Sequence, residues 1–162
     1  MPARTYETDD LTIEWYPERC VHVARCLAAA PAVFDPGRRP WVQPEAGTTE
    51  EIVAAIEACP TGALRYRRTD GTSEQATEPT VVFPVQNGPL VVRGALTVLA
   101  DDGTPFTEET RLAFCRCGHS GNQPFCDNSH RRAGFEATPP TPGRASAAGP
   151  DEICPPQDEP FG

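Results

Sequence analysis

Residues 115–130 read CRCGHSGNQPFCDNSH and carry four metal-binding side chains within sixteen positions. The four are the thiols of Cys115, Cys117 and Cys126 and the imidazole of His130. Two thiolates one residue apart can bind the same iron from a tight turn, and Cys126 can converge with His130 on a second iron. Zinc accepts the same set of donors. The stretch therefore predicts a metal centre, either a [2Fe-2S] cluster or a structural zinc ion.

The region before this motif is rich in β-forming residues and in turn signals. Asn87-Gly88-Pro89, Gly94 and Asp101-Asp102-Gly103 interrupt it, as expected between strands. The predicted strands are 80–85, 90–93, 95–99 and 111–114. The cysteines follow the last of these directly, so the sequence predicts a β-rich unit that ends in a metal-binding loop.

The motif closely resembles the CDGSH iron-sulfur domain. The matching residues are Cys115-x-Cys117-x-x-Ser120-x-x-x-Pro124-x-Cys126-Asp127-Asn128-Ser129-His130. The resemblance covers about residues 80–136, with the segment 88–94 similar to the β-cap strands of that family. It implies a [2Fe-2S] cluster bound by the three cysteines and His130, with the histidine on the outer iron near solvent, and a homodimer as in single-motif members. Asn128 stands where the family has glycine; because asparagine tolerates positive φ, we expect the turn to persist.

The mixed ligand set predicts particular chemistry. A neutral imidazole in place of one thiolate makes the cluster less negative and raises its potential. A protonated imidazole cannot bind iron, so we expect acid to loosen the cluster at His130. The neighbours expected to orient the metal-binding loop are Ser120, Pro124, Asp127 and Ser129. His119 is interpreted as a surface residue. Arg116, Arg131 and Arg132 are interpreted as a solvated basic face, with a docking patch as the alternative.

Three further cysteines form a second candidate site. Cys20 and Cys26 are six residues apart, and Cys59 precedes Pro60. Six residues on a regular helix turn through about 600°, which would leave Cys20 and Cys26 on different faces. Part of this segment must therefore be a wrapping loop, and Cys26 can open the helix that follows. The alternative is that all three are buried small apolar residues, as free cysteine often is.

The N-terminal region resembles the divergent 4Fe-4S mono-cluster domain, which is ferredoxin-like, over about residues 5–67. The resemblance rests on the segments 20–26, 33–41 and 59–64. Val23, with His22 beside it, stands where an ordinary ferredoxin has another cysteine. Three thiolates suit [3Fe-4S] directly, whereas [4Fe-4S] would need His22, water or another donor on the fourth iron. We expect a three-cysteine site.

The chain as a whole is predicted to be α+β. The predicted divisions are a ferredoxin-like unit at 1–70, a linker at 71–79, the CDGSH unit at 80–136 and a disordered Pro/Ala/Gly-rich acidic tail at 137–162. In the first unit we expect strands at 11–15 and 64–67 and helices at about 18–30 and 49–58, the second opened by a capping box of Thr48 and Glu51. Cys154, in the tail, is interpreted as an exposed spare thiol.

The charge and the cysteine content of the chain argue against some classes of function. The formal net charge is -9, from 14 Lys and Arg against 23 Asp and Glu, which opposes binding to nucleic acid or to anionic membranes. No leader-like or membrane-spanning segment stands out, so we expect a cytoplasmic, reducing compartment in which clustered cysteines bind metal. We expect an electron carrier with a redox partner protein and no enzymatic activity. The alternatives are a cluster store or sensor that serves an apo-acceptor, and a structural zinc protein.

Overall fold

A computed structural model of the protein describes residues 3–137. Two three-stranded antiparallel sheets organise this part of the chain. The first sheet comprises β1 (Arg4–Glu7), β2 (Leu11–Trp15) and β3 (Leu64–Arg68), in the order β1-β2-β3. Leu11 and Ile13 alternate with polar residues on β2 and are fully buried, so one face of this sheet covers a core.

Short helices cover the first sheet. They are α1 (Arg25–Ala29) and α2 (Thr49–Glu57), with 3-10 turns at Pro17–Arg19 and Pro44–Ala46. The predicted capping box is present: the Glu51 N–H donates to Thr48 Oγ1 over 3.2 Å, and the Thr48 N–H donates to Glu51 Oε2 over 2.9 Å. Ile52 and Ile56 of α2 complete the core below the sheet.

The second sheet comprises β4 (Val81–Pro84), β5 (Leu90–Leu99) and β6 (Pro105–Phe114), in the order β4-β5-β6. The prediction of two strands separated at Gly94 is wrong, because β5 runs through Gly94 with a register shift between Arg93 and Leu96. Gly94 has φ +146, and a side chain there would lie 2.3 Å from the Thr80 hydroxyl. Glycine thus allows close approach of Thr80 inside a continuous strand. A last helix, α3 (Ser129–Arg132), follows the metal-binding motif.

Two predictions for the N-terminal half need correction. The helix predicted over 18–30 is helical only in the 3-10 turn and in α1, and the loop 20–24 between them contains two left-handed residues, His22 (φ 55) and Ala24 (φ 57). The wrapping loop inferred from the cysteine spacing lies there. Strand β1 was not predicted; its burial pattern is mostly exposed, so it lacks the apolar alternation on which a strand prediction depends.

Buried arginine contacts join the two sheets. Arg111 of β6 is 1% exposed, and its guanidinium donates to the carbonyls of Ile56 (2.8 Å), Cys59 (3.0 Å) and Leu64 (2.9 Å). The backbone fits closely at the same place, since a Cβ added to Gly62 would lie 2.6 Å from the Arg111 carbonyl oxygen. The second sheet therefore fixes the position of the segment that carries Cys59.

The predicted tail, including Cys154, lies outside the described residues apart from its first residue. The overall α+β class is confirmed by the two sheets and their helices. None of the helices between residues 3 and 137 combines the length and the apolar character that crossing a membrane requires.

Candidate metal centres

The C-terminal site is built where β6 ends. The Cys115 N–H donates to the Pro124 carbonyl (2.9 Å), and the Cys126 N–H donates to the Ala113 carbonyl (2.8 Å). An isolated bridge between Phe114 and Phe125 adds a further antiparallel contact. The loop 115–125 therefore folds back along the end of its own strand and brings Cys126 beside Cys115.

The four predicted ligands lie as two pairs. Cys115 Sγ and Cys117 Sγ are 3.7 Å apart, and Cys126 Sγ lies 3.5 Å from Nδ1 of His130. The His119 N–H donates to Cys117 Sγ and the Asn128 N–H donates to Cys126 Sγ, each over 3.4 Å. In the described part of the chain, no three histidine, cysteine or carboxylate side chains meet at one point as the ligands of a single ion do. The arrangement suits two metals that share bridging atoms.

Three of the predicted orienting residues form one hydrogen-bonded unit. The Ser120 hydroxyl donates to the Phe125 carbonyl (2.6 Å), and Asp127 accepts from the N–H groups of Gly121 and Ser129, each over 2.9 Å. Partial burial opposes ionisation of Asp127, but hydrogen bonds from Ser129 and Gly121 lower its pKa to about 2. Asp127 is therefore a fixed negative charge that holds both ends of the loop.

The structure tests what the sequence predicted for Asn128 and for the arginines near the motif. Asn128 adopts φ 71, so the expected left-handed turn is confirmed. Arg116 is not a solvated residue: it donates to the carbonyls of Gly88 (2.8 Å) and Val85 (2.7 Å) and stabilises the loop from inside. Arg131, Arg132 and His119 are exposed, as predicted.

The acid–base properties of the ligands differ. Burial alone would raise the pKa of Cys115, but hydrogen bonds from Ser120, Cys117 and Gly118 lower it overall. Burial raises the pKa of Cys126. Burial and the nearby Arg131 lower the pKa of His130, so its imidazole is neutral near pH 7 and able to bind metal.

The N-terminal cysteines converge on one cavity of about 430 Å³. Cys20 follows a 3-10 turn, Cys26 lies in the first turn of α1, and Cys59 follows α2, so three different elements deliver the three thiols. Burial raises the pKa of Cys20. Burial, reinforced by the thiols of Cys59 and Cys20, raises the pKa of Cys26 to about 12. The thiols of Cys20 and Cys26 are therefore protonated without metal, and iron binding would release their protons.

The walls of this cavity suit an inorganic cluster. Trp15 and Trp41 line it with their rings packed edge to face, 4.8 Å between centroids. Both indole nitrogens are buried, and neither has a hydrogen-bond partner among the described residues. The Trp15 indole nevertheless lies close enough to Cys20 to favour its thiolate. Buried N–H groups normally have acceptors, and cluster sulfides would be such acceptors here. The thiols and the orphaned donors together fit an iron-sulfur cluster.

The two sites share a wall, which the sequence did not predict. Val21, directly after Cys20, is 5% exposed and packs with Val91, Ala113 and Cys126. Val21 and Val23 line both the cysteine cavity and a small cleft that includes His130. We call Val21, Val23, Val91 and Ala113 the apolar partition. It depends on long-range packing between the sheets, for which no local sequence signal exists.

Two further features were missed by sequence reasoning. The tryptophans were interpreted as strand and core residues, and their role as cavity walls depends on where the loop 20–24 folds. The Asn122 amide donates to the Glu18 carbonyl (2.9 Å) and thus joins the loops that carry the two cysteine sets. Phe34 is 1% exposed and belongs to the core, as predicted.

Comparison with known proteins gives one family match over the region of each candidate site. A family model described as "Divergent 4Fe-4S mono-cluster" matches residues 6–69, and one described as "Iron-binding zinc finger CDGSH type" matches residues 87–131. Two curated proteins, each named "Uncharacterized protein YjdI", come from Escherichia coli (strain K12) and Escherichia coli O157:H7. Both are 30% identical to the chain over 64 residues, which is 40% of this chain and 84% of each relative. The chain therefore belongs to the family of divergent 4Fe-4S mono-cluster proteins, carries a CDGSH-type unit in addition, and is an iron-sulfur protein.

Proposed function

We propose that the protein is an electron carrier with two clusters. One is a [2Fe-2S] cluster bound by Cys115, Cys117, Cys126 and His130. The other is bound by Cys20, Cys26 and Cys59. When bound, such clusters accept and release single electrons. The observation that carries the proposal is the apolar partition. Val21 and Val23 line both the cavity of the N-terminal cysteines and the cleft that includes His130, and Val21 belongs to the same buried cluster as Cys126.

The partition gives the two sites a short connection. Cys20 is joined covalently to Val21, and Val21 packs in the same buried cluster as Cys126. The path between the two sulfur sets therefore runs through the buried cluster that contains both Val21 and Cys126. A packed connection of this kind suits intramolecular electron exchange, and a store for one labile cluster has no need of it.

The residues around the sites also support a carrier. His130 is half-buried at the edge of the fold, and Arg131 and Arg132 beside it are exposed. We propose that electrons enter or leave on this side through a redox partner protein whose acidic surface faces these arginines. No substrate conversion is proposed, since the thiols of both sites are assigned here to the clusters.

Repeated reduction and reoxidation test this proposal. The loaded protein is reduced with dithionite and reoxidised anaerobically with ferricyanide while its visible absorbance is followed. A carrier bleaches and recovers over several cycles with its iron content unchanged. Loss of iron on each cycle would contradict the proposal.

A cluster store is the second candidate, and the position of half-buried His130 next to the exposed Arg131 favours it. A single imidazole ligand at the edge of the fold is the easiest of the four to displace. Mixing the loaded protein with an apo-ferredoxin, followed by separation of the two, distinguishes the candidates. Colour that moves to the ferredoxin supports the store, and colour that stays with the chain supports the carrier.

A structural zinc ion is the third candidate. It requires all four donors on one metal, and the same three thiols and one imidazole could supply them. A colourless protein that contains zinc and lacks acid-labile sulfide would support it.

A further inference from the structure

We propose that His22 is the fourth protein ligand of the N-terminal centre, which makes that centre a [4Fe-4S] cluster with three cysteines and one histidine. The inference rests on the proposed two-cluster function and assigns the ligand that three cysteines leave open. It replaces the expectation of a three-iron cluster. It also accounts for the absence of a fourth cysteine from the described wall of the cavity.

The walls of the cavity leave few other donors. Besides Cys20, Cys26 and Cys59, the described residues that line it and have a possible donor side chain include His22, Tyr6 and Thr61, and none is an aspartate or glutamate. The Thr61 hydroxyl already accepts from the Ala63 N–H (3.3 Å) and contacts Cys59 Sγ (3.5 Å). The Tyr6 phenol is a hard oxygen donor, whereas iron-sulfur clusters take sulfur and nitrogen ligands. A neutral imidazole, in contrast, binds iron readily.

The backbone of the loop that carries His22 has an unusual conformation. His22 and Ala24 both have left-handed φ angles, a conformation that non-glycine residues adopt rarely. Two such residues within five positions, between two cysteines, concentrate strain where a ligand set must be formed. The loop buries Val21 in the partition and leaves His22 exposed at the rim of the cavity. The N–H of His22 also interacts with Cys20, and this contact favours the thiolate.

The neighbour Val23 has a different task. It occupies the position at which an ordinary ferredoxin has a cysteine, but it packs in the partition with Val21. A thiol at this position would interrupt the apolar wall between the two sites. With His22 rather than residue 23 as the fourth ligand, the apolar partition stays intact and the fourth iron still has a protein ligand.

Loss of the fourth ligand has a measurable consequence. A [4Fe-4S]2+ cluster whose fourth iron lacks a protein ligand is converted by a one-electron oxidant to [3Fe-4S]1+, with release of one Fe2+. The electron goes to the oxidant, and the three cysteines remain bound. His22→Ala should undergo this conversion much faster than the parent, whereas His22→Cys should retain four irons at a lower potential, because a thiolate is more negative than an imidazole.

The test uses full-length protein loaded anaerobically with iron and sulfide. The parent, His22→Ala, His22→Cys and His119→Ala are exposed to a small excess of ferricyanide, then measured for iron per chain and for the EPR signal of the ferric three-iron cluster. His119 is the matched control, an exposed histidine that does not line the cavity. We expect His22→Ala to lose one iron per chain and gain the signal at least tenfold faster than the parent and the control.

A second readout does not depend on cluster loss. Protein labelled with 15N-histidine, in a His130→Cys background that removes the other histidine ligand, is reduced with dithionite and examined by pulsed EPR. Strong 15N coupling on the N-terminal cluster, lost in His22→Ala, supports the proposal. Equal iron retention in His22→Ala and the parent, with no 15N coupling, would overturn it. A parent that loads only three irons at this site would also overturn it while leaving the two-cluster carrier intact, and a parent with no iron there would refute the carrier itself.

Discussion

Backbone N–H groups of the metal-binding segment hold two proposed ligands of the C-terminal centre, Cys117 and Cys126. Asn128 shows how, because its left-handed conformation (φ 71) aims its N–H at Cys126 Sγ over 3.4 Å. An N–H donor stabilises the thiolate that iron requires. The conformation of single residues thus decides whether the thiols are ready to bind metal.

Asn128 provides the first prediction. Asn128→Gly should leave stability near that of the parent, whereas Asn128→Val should cost about 1–2 kcal/mol, because a β-branched side chain is strained at positive φ. The free energy of unfolding in urea and the fraction of iron retained by the loaded protein measure the effect. Equal stability of the valine and glycine variants would contradict the role assigned to this turn.

The second prediction concerns His130. His130→Cys should still bind a cluster but at a lower midpoint potential, because a thiolate adds negative charge where the imidazole added none. A spectroelectrochemical titration of the C-terminal cluster measures the shift. His119→Ala serves as the control and should keep the parent's potential. A potential unchanged in His130→Cys would show that His130 is not a ligand.

The third prediction concerns Trp41. If its buried indole N–H donates to a cluster sulfide, Trp41→Phe should lower the potential of the N-terminal cluster and leave that of the C-terminal cluster unchanged. An EPR-monitored redox titration resolves the two clusters in one sample. Phe34→Leu, in the core beside Trp41, controls for packing. Parallel shifts in both variants would exclude a hydrogen bond as the cause.

At the scale of elements, local sequence patterns predicted a helix or strand correctly where the same residues also pack in the core. Helix α2 was predictable because its capping box and its apolar stripe agree. The prediction of one helix over 18–30 was wrong because residues 20–24 form a loop that lines the cysteine cavity. The spacing of apolar residues in the sequence gives no sign of this loop. Strand β5 was divided wrongly at Gly94, since glycine reads as a turn although it here allows the approach of Thr80.

The cap of α2 provides the fourth prediction. Thr48→Ala should destabilise the protein by about 1 kcal/mol, since it removes the acceptor for the Glu51 N–H. Thr49→Ala, one residue further on, should have little effect. Urea unfolding measures both. Because α2 leads directly to Cys59, Thr48→Ala should also slow iron loading at the N-terminal site; equal stability of the two variants would contradict this account of the cap.

The same cap should depend on pH. Hydrogen bonds from the Thr48 N–H and the Thr48 hydroxyl hold the pKa of Glu51 below its ordinary value of 4.5. A carboxyl with a lowered folded pKa contributes stability that is present above the unfolded value and is lost as the pH falls through the folded one. Parent and Glu51→Gln should therefore differ less in stability at pH 3 than at pH 6.

At the scale of the whole molecule, buried charges join the two sheets. Glu109 of β6 is buried and accepts from Arg19 (2.6 Å) and Arg65, both of the N-terminal half. Arg111, two residues later on β6, binds the backbone around Cys59 and pairs with Glu74 (2.7 Å). In the sequence, Glu109 and Arg111 look like the polar face of an exposed strand. Only the docking of the sheets shows that they are buried, so this part of the architecture could not be predicted.

Arg111 provides the fifth prediction. Arg111→Met should destabilise the protein by about 3–5 kcal/mol, since it removes the buried cation that pairs with Glu74 and one donor from each of three carbonyls. It should also weaken cluster binding at the N-terminal site, although Arg111 belongs to the C-terminal sheet. Arg67→Met, at an exposed position of β3, is the control. Loss of iron from the C-terminal site alone would contradict the coupling of the two units through Arg111.

The central claim is that one chain holds two clusters, and composition tests it most directly. Iron, zinc and acid-labile sulfide per chain are measured on anaerobically purified protein, with low-temperature EPR before and after dithionite. The account predicts about six irons with matching sulfide, no zinc, and two distinct EPR signals after reduction. Two irons with one signal after reduction would leave the N-terminal site empty and contradict the two-cluster claim, and zinc without sulfide would refute the redox function altogether.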